Sequence, residues 1–81
     1  MSLDMLKTAK KAIGIKQAGK AIERGNVQAV YIAQDADQRL LGTLVEVCKQ
    51  QKVAVEYVPT MDELGAACGI DVGAAAVAVI G

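Results

Sequence analysis

Along this chain, stretches of apolar residues at helical spacing alternate with runs at strand spacing. Leu3, Leu6 and Lys10 follow a helical period behind the capping residue Ser2, with Asp4 in the first turn, so a helix is expected over roughly residues 3 to 11. Ala12-Ile13-Gly14 leaves room only for a brief edge strand. Ile15, Ala18 and Ile22 line one face of a second helix, which starts at Ile15 or Lys16 and ends at Arg24, where Gly25-Asn26 supplies a left-handed turn. Val27 to Ala33 is apolar on both faces, the pattern of an inner strand. Asp35 or Asp37 caps a long helix that ends near Gln51, with Leu40, Leu41, Leu44, Val45 and Cys48 as its inward stripe. Val53 to Val58 reads as a strand closed by Pro59. Thr60-Met61-Asp62-Glu63 is a capping box that opens a fourth helix, with Met61, Leu64 and Cys68 inward and Gly69 past its end. Ala74 to Ile80 is the last strand, again apolar on both faces.

Helices alternating with doubly buried strands imply an α/β fold, a three-layer α/β/α sandwich around a four-stranded mixed sheet. A length of 81 residues predicts one domain over 1–81. A chain of this size buries roughly 60% of its extended surface, enough for one modest core. Hydrophobic residues make up 53% and charged residues 22%, which excludes intrinsic disorder. The longest apolar stretch, Gly73 to Gly81, is shorter than the ~20 residues that span a bilayer. The first residues hold no apolar core of signal-peptide length, so a cytoplasmic protein with no membrane partner is expected.

The zero net charge conceals an asymmetry. Up to Val27 there are six cations (Lys7, Lys10, Lys11, Lys16, Lys20, Arg24) against Asp4 and Glu23, a balance of +4. From Gln28 onward three cations face seven anions, a balance of −4. A neutral chain does not coat nucleic acid indiscriminately, because that binding runs on phosphate neutralisation. A local basic face remains open, against the plainer reading of solvated helix lysines.

Little points to catalysis. There is no His, and two Cys are too few for a thiolate-only structural zinc site or a disulfide scaffold. Both thiols fall on apolar helix faces, where free Cys behaves as a small hydrophobe. The glycines match neither a Walker loop nor a dinucleotide fingerprint. Tyr31 and Tyr57, the only aromatics, do not equip a base-stacking sheet. No enzyme, no cofactor and no small-molecule substrate is expected.

Two segments exceed what scaffolding requires. Gly14-Ile15-Lys16-Gln17-Ala18-Gly19-Lys20 opens a helix whose free amides and positive dipole end suit phosphate, with Lys16, Gln17 and Lys20 in its first turns. Gly69-Ile70-Asp71-Val72-Gly73 sets two β-branched apolar residues between glycines, where turn residues would be usual. Their side chains either fold back on the core or meet a partner.

With these segments the chain resembles the kink-turn RNA-binding ribosomal protein family, the L-seven-Ae and L-thirty-e group, and specifically its small bacterial members. The residues that carry the resemblance are Gly14-Ile15-Lys16-Gln17 with Lys20, Arg24 and Gly25, then Ala33-Gln34-Asp35-Ala36-Asp37, then Leu64-Gly65 and Ala67 through Ala78. The resemblance implies an RNA partner, the kink-turn, a sharply bent element with tandem sheared G·A pairs in ribosomal or riboswitch-like RNA. It implies that the helix starting at Gly14 and Ile15 enters the widened groove beside those pairs. Lys16 and Gln17 stand where the archaeal and eukaryotic members typically carry Asn-Glu, Lys20 matches a lysine that contacts guanine edges or the nearby backbone, and Arg24 belongs to the same matching stretch. Ile70, Asp71, Val72 and Gly73 match the loop that covers nucleotides flipped out of the bend. Asp37 and Leu41 match positions lining the pocket of an extruded base. Gln17 keeps a carbonyl acceptor for a guanine amino group but lacks the carboxylate charge. Gly19 weakens the helix by about 1 kcal/mol relative to Ala, or else allows close approach of RNA. A monomer is the default, and the alternative reading is a protein-interaction module on the same scaffold.

Overall fold

Three strands run in one direction and a fourth runs against them. β1 (Lys11–Ile13), β2 (Val27–Ala33) and β3 (Ala54–Val58) point the same way, and β4 (Ala76–Ile80) lies antiparallel between β1 and β2. The sheet order is β1-β4-β2-β3. The computed structural model in which these elements are seen describes residues 3–81. Ile13 pairs with Val77, Tyr31 with both Val77 and Glu56, and the β2–β4 register shifts between Val27 and Ala29. The helices are α1 (Ile15–Arg24), α2 (Gln38–Gln51) and α3 (Met61–Ala67). α1 packs against α2 and β4, whereas α3 packs against a 3-10 turn at Leu3–Lys7 and against β2. The mixed α/β sandwich is therefore as expected, with α1 and α2 forming one helical layer.

Several boundaries differ. The first helix is a 3-10 turn that ends at Lys7, not an α-helix to residue 11. Lys10 lies past it, and Lys11 already belongs to β1, because ladder bonds to β4 outweigh the helical preference of so short a segment. The Ser2 cap and the Asp4 side chain lie outside what is described. β3 starts at Ala54 and β4 at Ala76, each later than the apolar pattern predicts. β3 is an edge strand, so Ala54, Glu56 and Tyr57 are exposed. Leu40 also leaves the predicted inward stripe and is 57% exposed. Adjacent helical residues point about 100° apart, so Leu40 and Leu41 cannot both face the sheet. Leu41 takes the core position.

β4 is the centre of that core. Ala76, Val77, Ala78 and Val79 are all buried beside Ile32 of β2, and Leu6, Ile22, Leu41 and Leu64 close over the sheet from the helical layers. Cys48 and Cys68 are buried free thiols within it. Burial pushes both thiols up, offset at Cys68 by the nearby Lys11 ammonium.

One core group is unsatisfied. Tyr31, 2% exposed, has a hydroxyl with no hydrogen-bond partner among the described residues. Burial raises its pKa above the usual 10.0, and the Glu56 charge across the strand pair adds to the shift. An unpaired buried hydroxyl costs about 1–3 kcal/mol. Tyr31→Phe is therefore expected to stabilise the fold by about 1 kcal/mol in urea denaturation. The wild-type contribution from the Tyr31 proton is complete below pH 10 and is lost as pH rises above it, because the unfolded chain then deprotonates first. The stability gap between Tyr31→Phe and wild type should accordingly widen in alkali, and a constant gap would contradict this account.

Candidate nucleic-acid interface

The carboxyl ends of β1, β2 and β3 and the amino end of β4 meet at one edge of the sheet. In open α/β sheets ligands bind in the crevice outside the carboxyl ends of the strands. At this edge α1, α2 and α3 begin and the loop between α3 and β4 ends.

α1 starts on a backbone corner that only glycine adopts without strain. Gly14 has φ 103° and ψ 154°, and its N–H donates to the Ala76 carbonyl at 2.8 Å. Its own carbonyl accepts from Ala18 N at 2.9 Å. The amides of Ile15, Lys16 and Gln17 precede the first intrahelical donor, and no side chain caps them. The positive end of the helix dipole thus faces the edge with free donors. Lys16, Gln17 and Lys20 are exposed beside it, and Ile15 is half-buried. Lys16, Lys20 and Arg24 follow an i, i+4, i+8 stripe, and none of them makes an ion pair among the described residues. Arg24 ends that stripe at the far end of the helix, about 12 Å along its axis from Lys16.

The second segment is held by α3. Thr60 Oγ1 accepts from Glu63 N at 3.1 Å, the first half of the expected capping box. Met61 N instead donates to Asp35 Oδ1 at 2.8 Å, across 26 positions of sequence. The two aspartates therefore divide the work, since Asp37 Oδ1 accepts from Arg39 N at 2.9 Å and caps α2. After α3 the chain turns at Gly69 (φ 80°) and doubles back along the helix. Ile70 N donates to the Gly65 carbonyl at 3.1 Å, and Ala74 N to that of Met61 at 3.0 Å. Between them the Val72 carbonyl lies against Gly65, where a Cβ would collide with it. A Cβ on Gly73 would lie 3.0 Å from Met61 Cβ, a tighter contact than side chains normally make. So clamped, the loop buries part of Ile70 against the core and leaves Val72 70% exposed, with Asp71 and Gly73 also at the surface.

Hydrogen bonds tie the two segments together. Gly14 reaches Ala76, and Ala33 N donates to the Ala75 carbonyl at 2.9 Å, so the β2–α2 loop joins the same edge. Val72 and Ala76 are four positions apart, a span of at most about 14 Å. Gly14, Ile15, Lys16, Gln17, Gly73 and Asp37 thus lie toward one end of the molecule, with Lys20 one turn along α1, while Ile70, Asp71 and Val72 approach that end along α3. Two expectations change. Leu41 is 1% exposed and presents no face to a ligand in this conformation, because it fills the core under α2. Gly19 lines a shallow apolar groove with Ile15, Glu23, Leu40, Thr43 and Val47, so its open side faces α2 and not the lysine stripe. The raised pKa values of Cys48 and Cys68 disfavour thiolate at neutral pH.

Comparison with known proteins gives this arrangement a lineage. Residues 3–81 match the model of the Ribosomal protein L7Ae/L30e/S12e/Gadd45 family. The chain belongs to this family. A relative from Caldanaerobacter subterraneus subsp. tengcongensis named an RNA-binding protein is 45% identical over 73 residues, covering 89% of each chain. The large ribosomal subunit protein eL8 of Halobacterium salinarum is 41% identical over 68 residues, which are 83% of this chain and 57% of that one. The solved structure of a Giardia lamblia 15.5kD RNA binding protein superposes with a TM-score of 0.89 at 26% identity, over 98% of this chain and 70% of the other.

Gly65 is the positioning residue that periodicity does not reveal. Its only sequence signal is a glycine inside a short helix, where alanine is intrinsically better by about 1 kcal/mol. Gly65→Ala is expected to destabilise the fold by about 1–3 kcal/mol in urea denaturation, because the methyl meets backbone that cannot rotate away. A stabilised variant would show that the loop does not rest on α3.

Proposed function

We propose that this protein binds kink-turn RNA and stabilises its bent form, as a ribosome-associated component. The observation that carries the proposal is the junction of a free helix amino end and an exposed apolar loop at one sheet edge, bonded through Gly14 and Ala76. Family membership, and relatives whose names state RNA binding, support RNA as the ligand class.

Ordinary A-form RNA hides base edges in a deep, narrow groove, so proteins read distorted or unpaired sites. In this reading the Ile15, Lys16 and Gln17 amides meet phosphate, and the Lys16 and Gln17 side chains approach purine edges exposed by sheared G·A pairs. Lys20 adds a cation one turn along. Val72 covers an unstacked nucleotide, hiding apolar surface that is otherwise exposed to water. Bending RNA crowds its phosphates. A protein that binds only the bent form shifts the population toward it, and a few well-placed cations then suffice at zero net charge.

A second reading, a protein-interaction module, draws on the apolar groove between α1 and α2 and on Leu40 exposed within it. A gel-shift comparison separates the two. Kink-turn RNA should bind with a log–log salt slope of about −2 to −4.5, from roughly three to five neutralised phosphates. Equal binding to an RNA whose G·A pairs are replaced by Watson–Crick pairs would sink the kink-turn assignment. Lys20→Ala should weaken kink-turn binding about tenfold, as expected for loss of one charge-assisted contact. Wild-type affinity in that variant would remove α1 from the interface.

A further inference from the structure

Beyond the residues assigned so far, we infer that Lys7 extends the RNA site as a phosphate contact at the far end of the 69–73 loop. The inference rests on the RNA-binding reading and enlarges its footprint. Lys7 ends the 3-10 turn, ahead of β1 and α1 and more than half the chain away from the loop. A Cβ placed on Gly69 would lie 3.5 Å from Lys7 Cγ and 3.8 Å from its Cε. The lysine stem is therefore draped over Gly69, and its ammonium, one bond beyond Cε, sits where the loop leaves α3. The residue is exposed, so that ammonium remains open to solvent.

The placement is built into the fold. Leu6, fully buried, anchors the turn in the core. Ala9 N donates to the Met5 carbonyl at 3.0 Å, which fixes the chain on the other side. Lys11 Nζ donates to the carbonyls of Lys7 at 3.3 Å and Ala9 at 3.4 Å, bringing a second cation to the same spot. Gly69 lies four positions beyond Gly65, on which the Val72 carbonyl rests, so the Lys7 stem and the Val72 backbone meet the last turn of α3 and the turn that follows it. The exposed apolar loop thus has cations on both sides: Lys16 and Lys20 across the sheet edge, Lys7 and Lys11 along the α3 flank. One chain of phosphates passing over Val72 meets both. A sharply bent RNA, whose two arms leave the bend in different directions, suits such a divided footprint better than a straight duplex does.

Lys7→Met separates charge from packing, since it keeps an unbranched apolar stem over Gly69 and removes the ammonium. Its affinity for a kink-turn RNA oligonucleotide should fall about three- to tenfold at low salt. Its log–log salt slope should be shallower than wild type by about 0.7–0.9, the loss of one released counterion. Lys7→Arg should restore the slope, and Lys49→Met, in the last turn of α2, should leave it unchanged. A Lys7→Met slope equal to wild type, with Lys20→Ala still shallower, overturns the inference and leaves the RNA-binding reading standing. Wild-type protein that binds no RNA overturns both.

Discussion

The arrangement depends on the insertion of β4 between β1 and β2. A strand buried on both faces and paired along both edges leaves little space on either side of it. Its alternation of Ala and Val, from Ala76 to Val79, meets that limit, because small side chains let α1 approach from one layer and α3 from the other. The same insertion places the start of β4 against the end of β1. Gly14 therefore bonds to Ala76, and α1 sets off from beside the loop that precedes β4. Without that pairing, the helix end and the loop would be unrelated surface features.

Charge acts locally in this protein. The excess of cations before Val27 is spread over the 3-10 turn, β1 and α1, while the carboxylates of the later segments are partly taken up in structure. Asp35 and Asp37 accept backbone N–H groups of Met61 and Arg39, so they secure helix starts around the edge. The uncapped start of α1 is the exception among the three helices. α2 and α3 each have a side-chain cap, whereas the Ile15, Lys16 and Gln17 amides at the start of α1 have none.

The loop shows how a short segment is kept in place without much core of its own. Its backbone is bonded to α3 at Gly65, Ala66 and Met61, and its carbonyl at Val72 fits only because Gly65 has no side chain. Ile70 supplies the apolar anchor, which frees Val72 to project. An exposed valine on a restrained backbone gives up little conformational entropy when it is covered, so its burial by a ligand is more favourable than burial of a mobile side chain.

Hydrophobic period and local capping chemistry determined much of this protein: α1, α2, β2 and the α3 cap at Thr60 occur where the pattern places them, and the free start of α1 follows from Gly14 in front of Ile15-Lys16-Gln17. These features are local, since side-chain period and capping chemistry act over a few residues. The composition of the edge was legible only through resemblance, and the distribution of roles within it required the tertiary structure. Whether Ile70 or Val72 turns inward, and which of Asp35 and Asp37 caps which helix, depends on contacts between residues far apart in sequence. The same is true of Leu41, whose burial removes it from the edge, and of Lys7, which reaches Gly69 across more than half the chain. A periodic pattern specifies which face of an element is apolar, whereas the packing of β4 and α3 decides which residues become neighbours.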